Sequence, residues 1–363
     1  MILLLALAFP LGIGILAFVI SGRKITPKEL ALQEGILAVI VIIMYYVMLS
    51  GQTGDTEFLN GSIAEKHRDT QGCCHSYPCN CHPVCSGSGT SRSCSEHCDT
   101  CYEHSHDVYW EATSTTGSQV YYDGCNSPHS DTPKRYDLIY VGEPTTENHG
   151  YTNYIKGNPN SILRREAVSP NLLAQVPVYP EVFDHYHSLR VLDLGVVGID
   201  VASMNHEIDF MNAQLGAKRQ VNIILILTKE PDLTFAEAIR QKWLGGKKND
   251  VVVVVGMPSF PEIAWVDTVS WTQQETMKIN IRDSILAMKT FDGHNVLGII
   301  AYEIDNGFKR RHMRDFQYLS AGIEPSTNET IALFLVAGIL SIILSIINYQ
   351  TDVFDEERPK RYF

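Results

Sequence analysis

Long apolar segments stand at both ends of the chain, and the segment between them is polar. The first 20 residues and residues 331–350 contain no charged side chain, and each reaches the ~20 residues that a helix needs to cross a bilayer. A shorter uncharged run covers residues 36–49. The pattern predicts two transmembrane helices within residues 1–52, a third at 331–350 and a tail at 351–363. A cleaved signal peptide is the alternative for the first run, but a basic n-region is missing.

Basic side chains flank these segments in the first loop and in the tail: Arg23, Lys24, Lys28, Arg358, Lys360 and Arg361. Because basic residues favour the cytoplasmic side, both flanks are predicted to be cytoplasmic. Three spans then place residues 51–330 on the other side. The sequence therefore predicts an integral membrane protein with an extracytoplasmic main domain, and loss of either N-terminal span would reverse that side.

Residues 191–320 alternate between strand and helix patterns. Val221–Thr228 and Val251–Val255 are continuous runs of mostly β-branched residues and Leu, as in strands buried on both faces. A third strand and four helices are predicted around them: strand 263–271 and helices 204–215, 235–243, 273–288 and 294–308. Strands that alternate with helices predict a sheet covered by helices, and so a membrane-anchored α/β protein.

Cysteine is concentrated in residues 53–130, which we expect to form a Cys-rich lobe of loops and strands; residues 131–190 are predicted to be a mixed β connector. Eight of the nine cysteines lie between Cys73 and Cys101. Closely spaced cysteine pairs favour zinc, because one tight turn aims two thiolates at one ion. The predicted zinc ligands are Cys79, Cys81, Cys98 and Cys101, with His104 as an alternative ligand.

Disulfides are the second interpretation of the same cysteines. An extracytoplasmic compartment would favour them. The odd number of cysteines leaves one thiol over or links two chains. Under either interpretation the cluster braces a small lobe that has little core of its own.

Several motifs resemble a family of uncharacterised membrane proteins encoded by large tailed bacteriophages: Cys98–His104, Asp107–Trp110, Gly150–Lys156 and Trp243–Asp250. The resemblance covers most of residues 55–318. It implies a location in the host inner membrane and carries no activity with it.

The α/β segment also resembles the TPM domain, a three-layer fold of sheet and helices found on membrane-anchored proteins. The similar pattern is a helix, a strand at 222–227, a helix ending near Trp243, a Gly/Lys/Asp turn and a strand at 251–255. Some TPM domains are reported as phosphatases, and some bind divalent ions through acidic loop residues. In this chain, residues 261–269 replace the glycine-rich segment that usually follows.

Few residues in the sequence have the type and spacing that indicate a catalytic site. Asp250 stands at the start of a predicted buried strand, and Asp267 could approach it at the strand ends. These two residues are candidates for a cation site. The Gly245–Lys248 segment lacks P-loop spacing. The net charge of −12 and the absence of a basic tract argue against nucleic-acid binding. We therefore predict a non-enzymatic interaction or scaffolding module that contacts membrane lipid and a protein partner or a second copy of itself. The alternative is a divalent-cation-dependent phosphatase or hydrolase of the TPM type.

Overall fold

The computed structural model describes residues 1–22, 24–87, 93–123, 134–159 and 168–351. Its helices are α1 (Ile2–Ile20), α2 (Pro27–Thr53), α3 (Lys134–Leu138), α4 (Tyr154–Gly157), α5 (Pro170–Gln175), α6 (Val201–Arg219), α7 (Thr234–Lys242), α8 (Glu275–Met288), α9 (Gly293–Gly307) and α10 (Thr327–Gln350), with a 3-10 helix at Met313–Gly322. Its strands are β1 (Gly54–Gly72), β2 (Ser76–Ser86), β3 (Ser93–Tyr102), β4 (His106–Ser114), β5 (Gln119–Asp123), β6 (Pro144–Thr152), β7 (Val182–Phe183), β8 (His187–Ser188), β9 (Val191–Leu194), β10 (Asn222–Thr228), β11 (Asp250–Gly256) and β12 (Trp265–Ser270).

The chain divides into two compact units. The helical unit comprises residues 1–56, 150–167 and 312–363, and the mixed unit comprises residues 57–149 and 168–311. All four tryptophans of the chain lie in the mixed unit: Trp110, Trp243, Trp265 and Trp271.

Three helices of the helical unit are long and apolar enough to cross a membrane, namely α1, α2 and α10. They pack around a small cluster of buried apolar residues: Ala6, Val41, Leu333 and Ala337. The short apolar run at 36–49 lies inside α2, whose 27 residues exceed the length of a span. Capping boxes begin α2 at Thr26 and α10 at Ser326. The prediction of three helices that are long and apolar enough to cross a membrane is confirmed.

The mixed unit contains a four-stranded sheet in the order β12-β11-β10-β9. The strands β9, β10 and β11 are parallel, and β12 runs antiparallel to β11. Every residue of β10 and β11 is buried. The helices α6, α8 and α9 cover one face, and α7 with α5 covers the other. Continuous β-branched runs form these central strands because both of their faces are apolar. The predicted mixed α/β architecture is confirmed.

The described residues of the Cys-rich region lie mainly in strands. The strands β5, β4, β1 and β6 form a second sheet in that order, and β2 pairs with β3 alone in a two-stranded ribbon. The strand β1 is 19 residues long and pairs antiparallel with β4. The strand β6 comes from the segment predicted as a connector, so that segment contributes to this sheet. Cys125 and the tail at 352–363 lie outside the described residues.

Candidate functional site

Three disulfides cross the ribbon formed by β2 and β3. They join the following pairs: Cys79 with Cys101, Cys81 with Cys98, and Cys85 with Cys94. The antiparallel register places the cysteines of one strand across from those of the other, with Cys85 directly opposite Cys94. The four cysteines predicted to bind zinc are all oxidised. Zinc binds the thiolate, which a disulfide sulfur no longer offers. The zinc site predicted from these spacings is therefore not formed, and the disulfide alternative is the one observed.

The ribbon has no core of its own. Among its described side chains none is buried, and Tyr77, Val84 and Tyr102 are 46–57% exposed. A two-stranded hairpin is only marginally stable in water. A disulfide that closes a loop of about 15 residues contributes about 3 kcal/mol by restricting the unfolded chain. The three here join residues 22, 17 and 9 positions apart. The ribbon therefore depends on its oxidised cysteines for a fixed shape.

Four side chains of metal-ligand type meet where the ribbon joins the antiparallel sheet: Cys73, His75, His104 and Asp107. One possible ligand atom from each lies within 4.8 Å of the others. Cys73 carries a free, buried thiol. The structure thus takes His104, predicted only as an alternative ligand, away from the ribbon cysteines. It places His104 with Cys73, His75 and Asp107, a set of ligands that the sequence analysis did not specify.

Asp107 is the buried centre of this cluster, with only 1% of its side chain exposed. Its Oδ1 accepts a short hydrogen bond from His104 Nε2 and lies 4.0 Å from His75 Nδ1. Its Oδ2 accepts from the backbone N–H of Cys74 at 2.9 Å and from Cys74 Sγ at 3.2 Å. The bond from His104, followed by that from the Cys74 backbone, lowers the pKa of Asp107 to about 2. Asp107 is therefore a carboxylate at physiological pH.

Asp250 and Asp267 do not come together. The β11–β12 register places Asp267 opposite Val254, four residues along β11 from Asp250, or about 13 Å at the usual rise per residue. Asp267 pairs with Arg240 at 2.9 Å. The cation site predicted from these two carboxylates is not assembled, because the antiparallel direction of β12 carries Asp267 towards the far end of β11.

The structure instead gives Asp250 a buried hydrogen-bonding role. Tyr179 OH donates to both carboxylate oxygens at 3.0 Å, Asn222 Nδ2 donates to Oδ1 at 2.8 Å, and the Lys247 N–H donates to Oδ2 at 2.7 Å. Burial nevertheless raises the pKa of Asp250 to about 6, and these donors only partly oppose the shift. A fully buried carboxylate with four donor contacts is built to hold a fold together.

Arg190, directly before β9, is fully buried near Asp250 and its hydrogen-bond donors. Its guanidinium donates to Asn60 Oδ1 and Thr146 Oγ1, each at 2.7 Å, and to Asn222 Oδ1. Asn60 lies on β1, Thr146 on β6 and Asn222 on β10, so one side chain links the two sheets of the mixed unit. Asp209 supplies a carboxylate 4.0 Å from Arg190 Nε.

A small polar cavity of about 130 Å³ borders the same network. Its lining includes Glu143, Tyr186, His187, His206 and Asp209. Burial raises the pKa of Asp209 to about 7, although the charge of Arg190 opposes that rise. One water molecule needs about 10–15 Å³ of such space, so the cavity has room for several waters. It gives the buried network a contact with solvent.

Comparison of the chain with protein-family models, with curated proteins and with solved structures finds no match.

Proposed function

We propose that this chain is a membrane-anchored interaction protein that presents the β2–β3 ribbon to a protein partner outside the cytoplasm. The observation that carries the proposal is the ribbon itself. It has three crossing disulfides and no buried side chain among its described residues. A segment that stabilises no core yet is braced at three points is best explained by what its surface contacts.

The disulfides also help to decide on which side of the membrane the ribbon lies. Structural disulfides persist in oxidising compartments and are rare in the cytosol. The basic residues in the first loop and in the tail provide an independent argument, because basic flanks favour the cytoplasmic side. With three spans, the ribbon then lies on the opposite side. Two separate arguments thus support an extracytoplasmic mixed unit.

The outer edge of β3 is the surface we propose for the partner. Pro78 and Pro83 remove two N–H donors from β2, and proline at a sheet edge discourages pairing with another chain. The strand β3 contains no proline, and within the described residues it pairs with β2 alone. An extended segment that adds to such an edge gains main-chain hydrogen bonds and side-chain contacts. The proposed partner is therefore a protein strand, from another protein or from a second copy of this chain.

The TPM resemblance and the bacteriophage resemblance remain predictions for the mixed unit. The hydrolase alternative was based on the TPM resemblance and on a cation site at Asp250 and Asp267, and the separation of these two residues gives that site no support.

Site-specific photocrosslinking tests the proposal. A photoreactive side chain at the exposed position Glu96 on β3 is expected to give a covalent adduct in native membranes. The matched control is the same side chain at Tyr302 on α9, which is 66% exposed. Adduct mass distinguishes a second copy from a different protein. The adduct should disappear when Cys81 and Cys98 are both replaced by Ser. Equal crosslinking at Glu96 and Tyr302, or an adduct that survives the double substitution unchanged, would contradict the proposal.

A further inference from the structure

The ribbon meets the antiparallel sheet at a break in strand pairing. The β1–β4 ladder ends with Gly72 opposite His106. The ribbon ladder begins with Ser76 opposite Tyr102. Two three-residue connections, 73–75 and 103–105, lie between them. One backbone hydrogen bond, from the Glu103 N–H to the His75 carbonyl at 3.1 Å, joins these connections. Main-chain pairing alone leaves the base of a rigid ribbon thinly supported.

The cluster of Cys73, His75, His104 and Asp107 occupies this break. Cys73 and His75 come from one connection, His104 comes from the other, and Asp107 is the second residue of β4. We propose that these four side chains bind one Zn²⁺ ion, which fixes the ribbon to the sheet. The proposal goes beyond the interaction function, because it concerns what holds the ribbon and not what the ribbon contacts.

The donor set suits zinc. Zinc prefers four ligands drawn from thiolate, imidazole and carboxylate, and four protein ligands are typical of a structural site rather than a catalytic one. Zinc–ligand bonds of about 2.0–2.3 Å place neighbouring ligand atoms about 3.3–3.8 Å apart in a tetrahedron. The four candidate atoms already lie within 4.8 Å of one another. Small side-chain movements therefore suffice to close the site.

The surroundings of Asp107 also fit a metal ligand. Its Oδ2 is held by the N–H and Sγ of Cys74, which fixes the carboxylate and leaves Oδ1 towards the two imidazoles. Metal-bound carboxylates are ordinarily oriented by such outer hydrogen bonds. On this account zinc replaces the hydrogen bond between His104 Nε2 and Oδ1. Zinc binding would also keep the Cys73 thiol out of disulfide exchange beside three oxidised pairs.

Metal analysis of the full-length protein, purified in detergent without chelator or reductant, tests the proposal. We expect about one zinc ion per chain, and Co²⁺ exchange should give the absorption of a tetrahedral site with one thiolate ligand. Replacing Cys73 with Ser or His104 with Gln should lower zinc affinity at least about tenfold. Replacing His82 with Gln, an exposed ribbon histidine next to His97, is the control and should leave it unchanged.

A second readout needs no variant. In the folded wild-type protein, added Zn²⁺ should protect Cys73 from alkylation, and removal of zinc by a chelator should restore its labelling. Tryptophan emission checks that each variant keeps the fold of the mixed unit. The proposal is overturned by wild-type protein that binds no zinc when zinc is supplied, by unchanged zinc affinity in Cys73→Ser, or by a disulfide from Cys73 to Cys74 or Cys125 in unreduced protein.

Discussion

Replacing Arg190 with Met is expected to destabilise the mixed unit by about 3–5 kcal/mol, because loss of one member of a buried charged network leaves its partners unsatisfied. The substitution keeps an unbranched apolar stem but removes every donor of the guanidinium. Asn60, Thr146 and Asn222 would each lose a hydrogen bond inside the protein. Asp209 would lose the positive charge 4.0 Å away.

Chemical unfolding of the full-length protein in detergent measures this effect. Tryptophan emission reports on the mixed unit alone, since all four tryptophans lie there. Arg282→Met is the control, because Arg282 lies on α8 with 46% of its side chain exposed and pairs with the exposed Asp283. An exposed pair contributes about 0–1 kcal/mol. Equal losses for the two variants would show that Arg190 does not link the sheets as described.

The stability of the mixed unit is expected to fall as pH rises from 5 to 7.5, and Asp250 supplies part of that fall. Burial raises the pKa of Asp250 from its usual 3.8 to about 6, so the folded state favours the protonated form. Such a group contributes stability that is complete below about pH 4 and is lost as pH rises through about 6. The whole shift corresponds to about 3 kcal/mol, of which about 1–2 kcal/mol falls between pH 5 and 7.5.

Comparison with Asp250→Asn isolates this contribution, because the amide stays neutral at every pH and has nearly the same shape. Unfolding free energies of both proteins at pH 5 and pH 7.5 are needed. The wild type should lose more stability than the variant over this interval, even though Asp209 adds a fall in the same direction to both. Parallel pH profiles for the two proteins would mean that Asp250 does not titrate there.

The three long apolar helices and the central strands were predictable because each is a local pattern. Twenty uncharged apolar residues, or five consecutive valines at 251–255, have few structural alternatives. Strands were expected in residues 53–130, but the individual strands β1 to β4 and their pairing were not predicted. They are rich in Ser, Thr, His and charged residues, and only β1 and β4 bury a few apolar side chains, such as Ile63 and Trp110. Pairing between distant segments determines those strands, and no local pattern records it.

Whether the cysteines bind zinc or form disulfides likewise depends on how distant strands pair. CxC and CxxC spacings suit a metal when the pair lies on one turn. Here Cys79 and Cys81 lie on one strand, and their partners lie on the other. The ligand cluster at the ribbon base had a signal in the sequence: Cys73-Cys-His75 and His104-Ser-His-Asp107 stand at the two ends of the ribbon. That signal becomes readable only once the intervening residues are known to form a hairpin.

No pattern in the amino-acid sequence indicated the hydrogen-bond network around Arg190. Its members come from positions 60, 146, 190 and 222, and each is an ordinary polar residue in its own segment. Asp250 was selected as an acidic residue at the start of a predicted strand. Its burial, and the donors that surround it, follow from the tertiary packing of Tyr179 and Asn222.

The oxidation state of the cysteines in native membranes tests the central claim most directly. Membranes are isolated without reductant, the protein is denatured in excess alkylating reagent, and its intact mass is measured before and after reduction with a second alkylation. A braced ribbon facing an oxidising compartment predicts at least six additional labels after reduction, two for each of the three disulfides among the described cysteines. Labelling of all nine cysteines before reduction would contradict the braced ribbon and the extracytoplasmic location together.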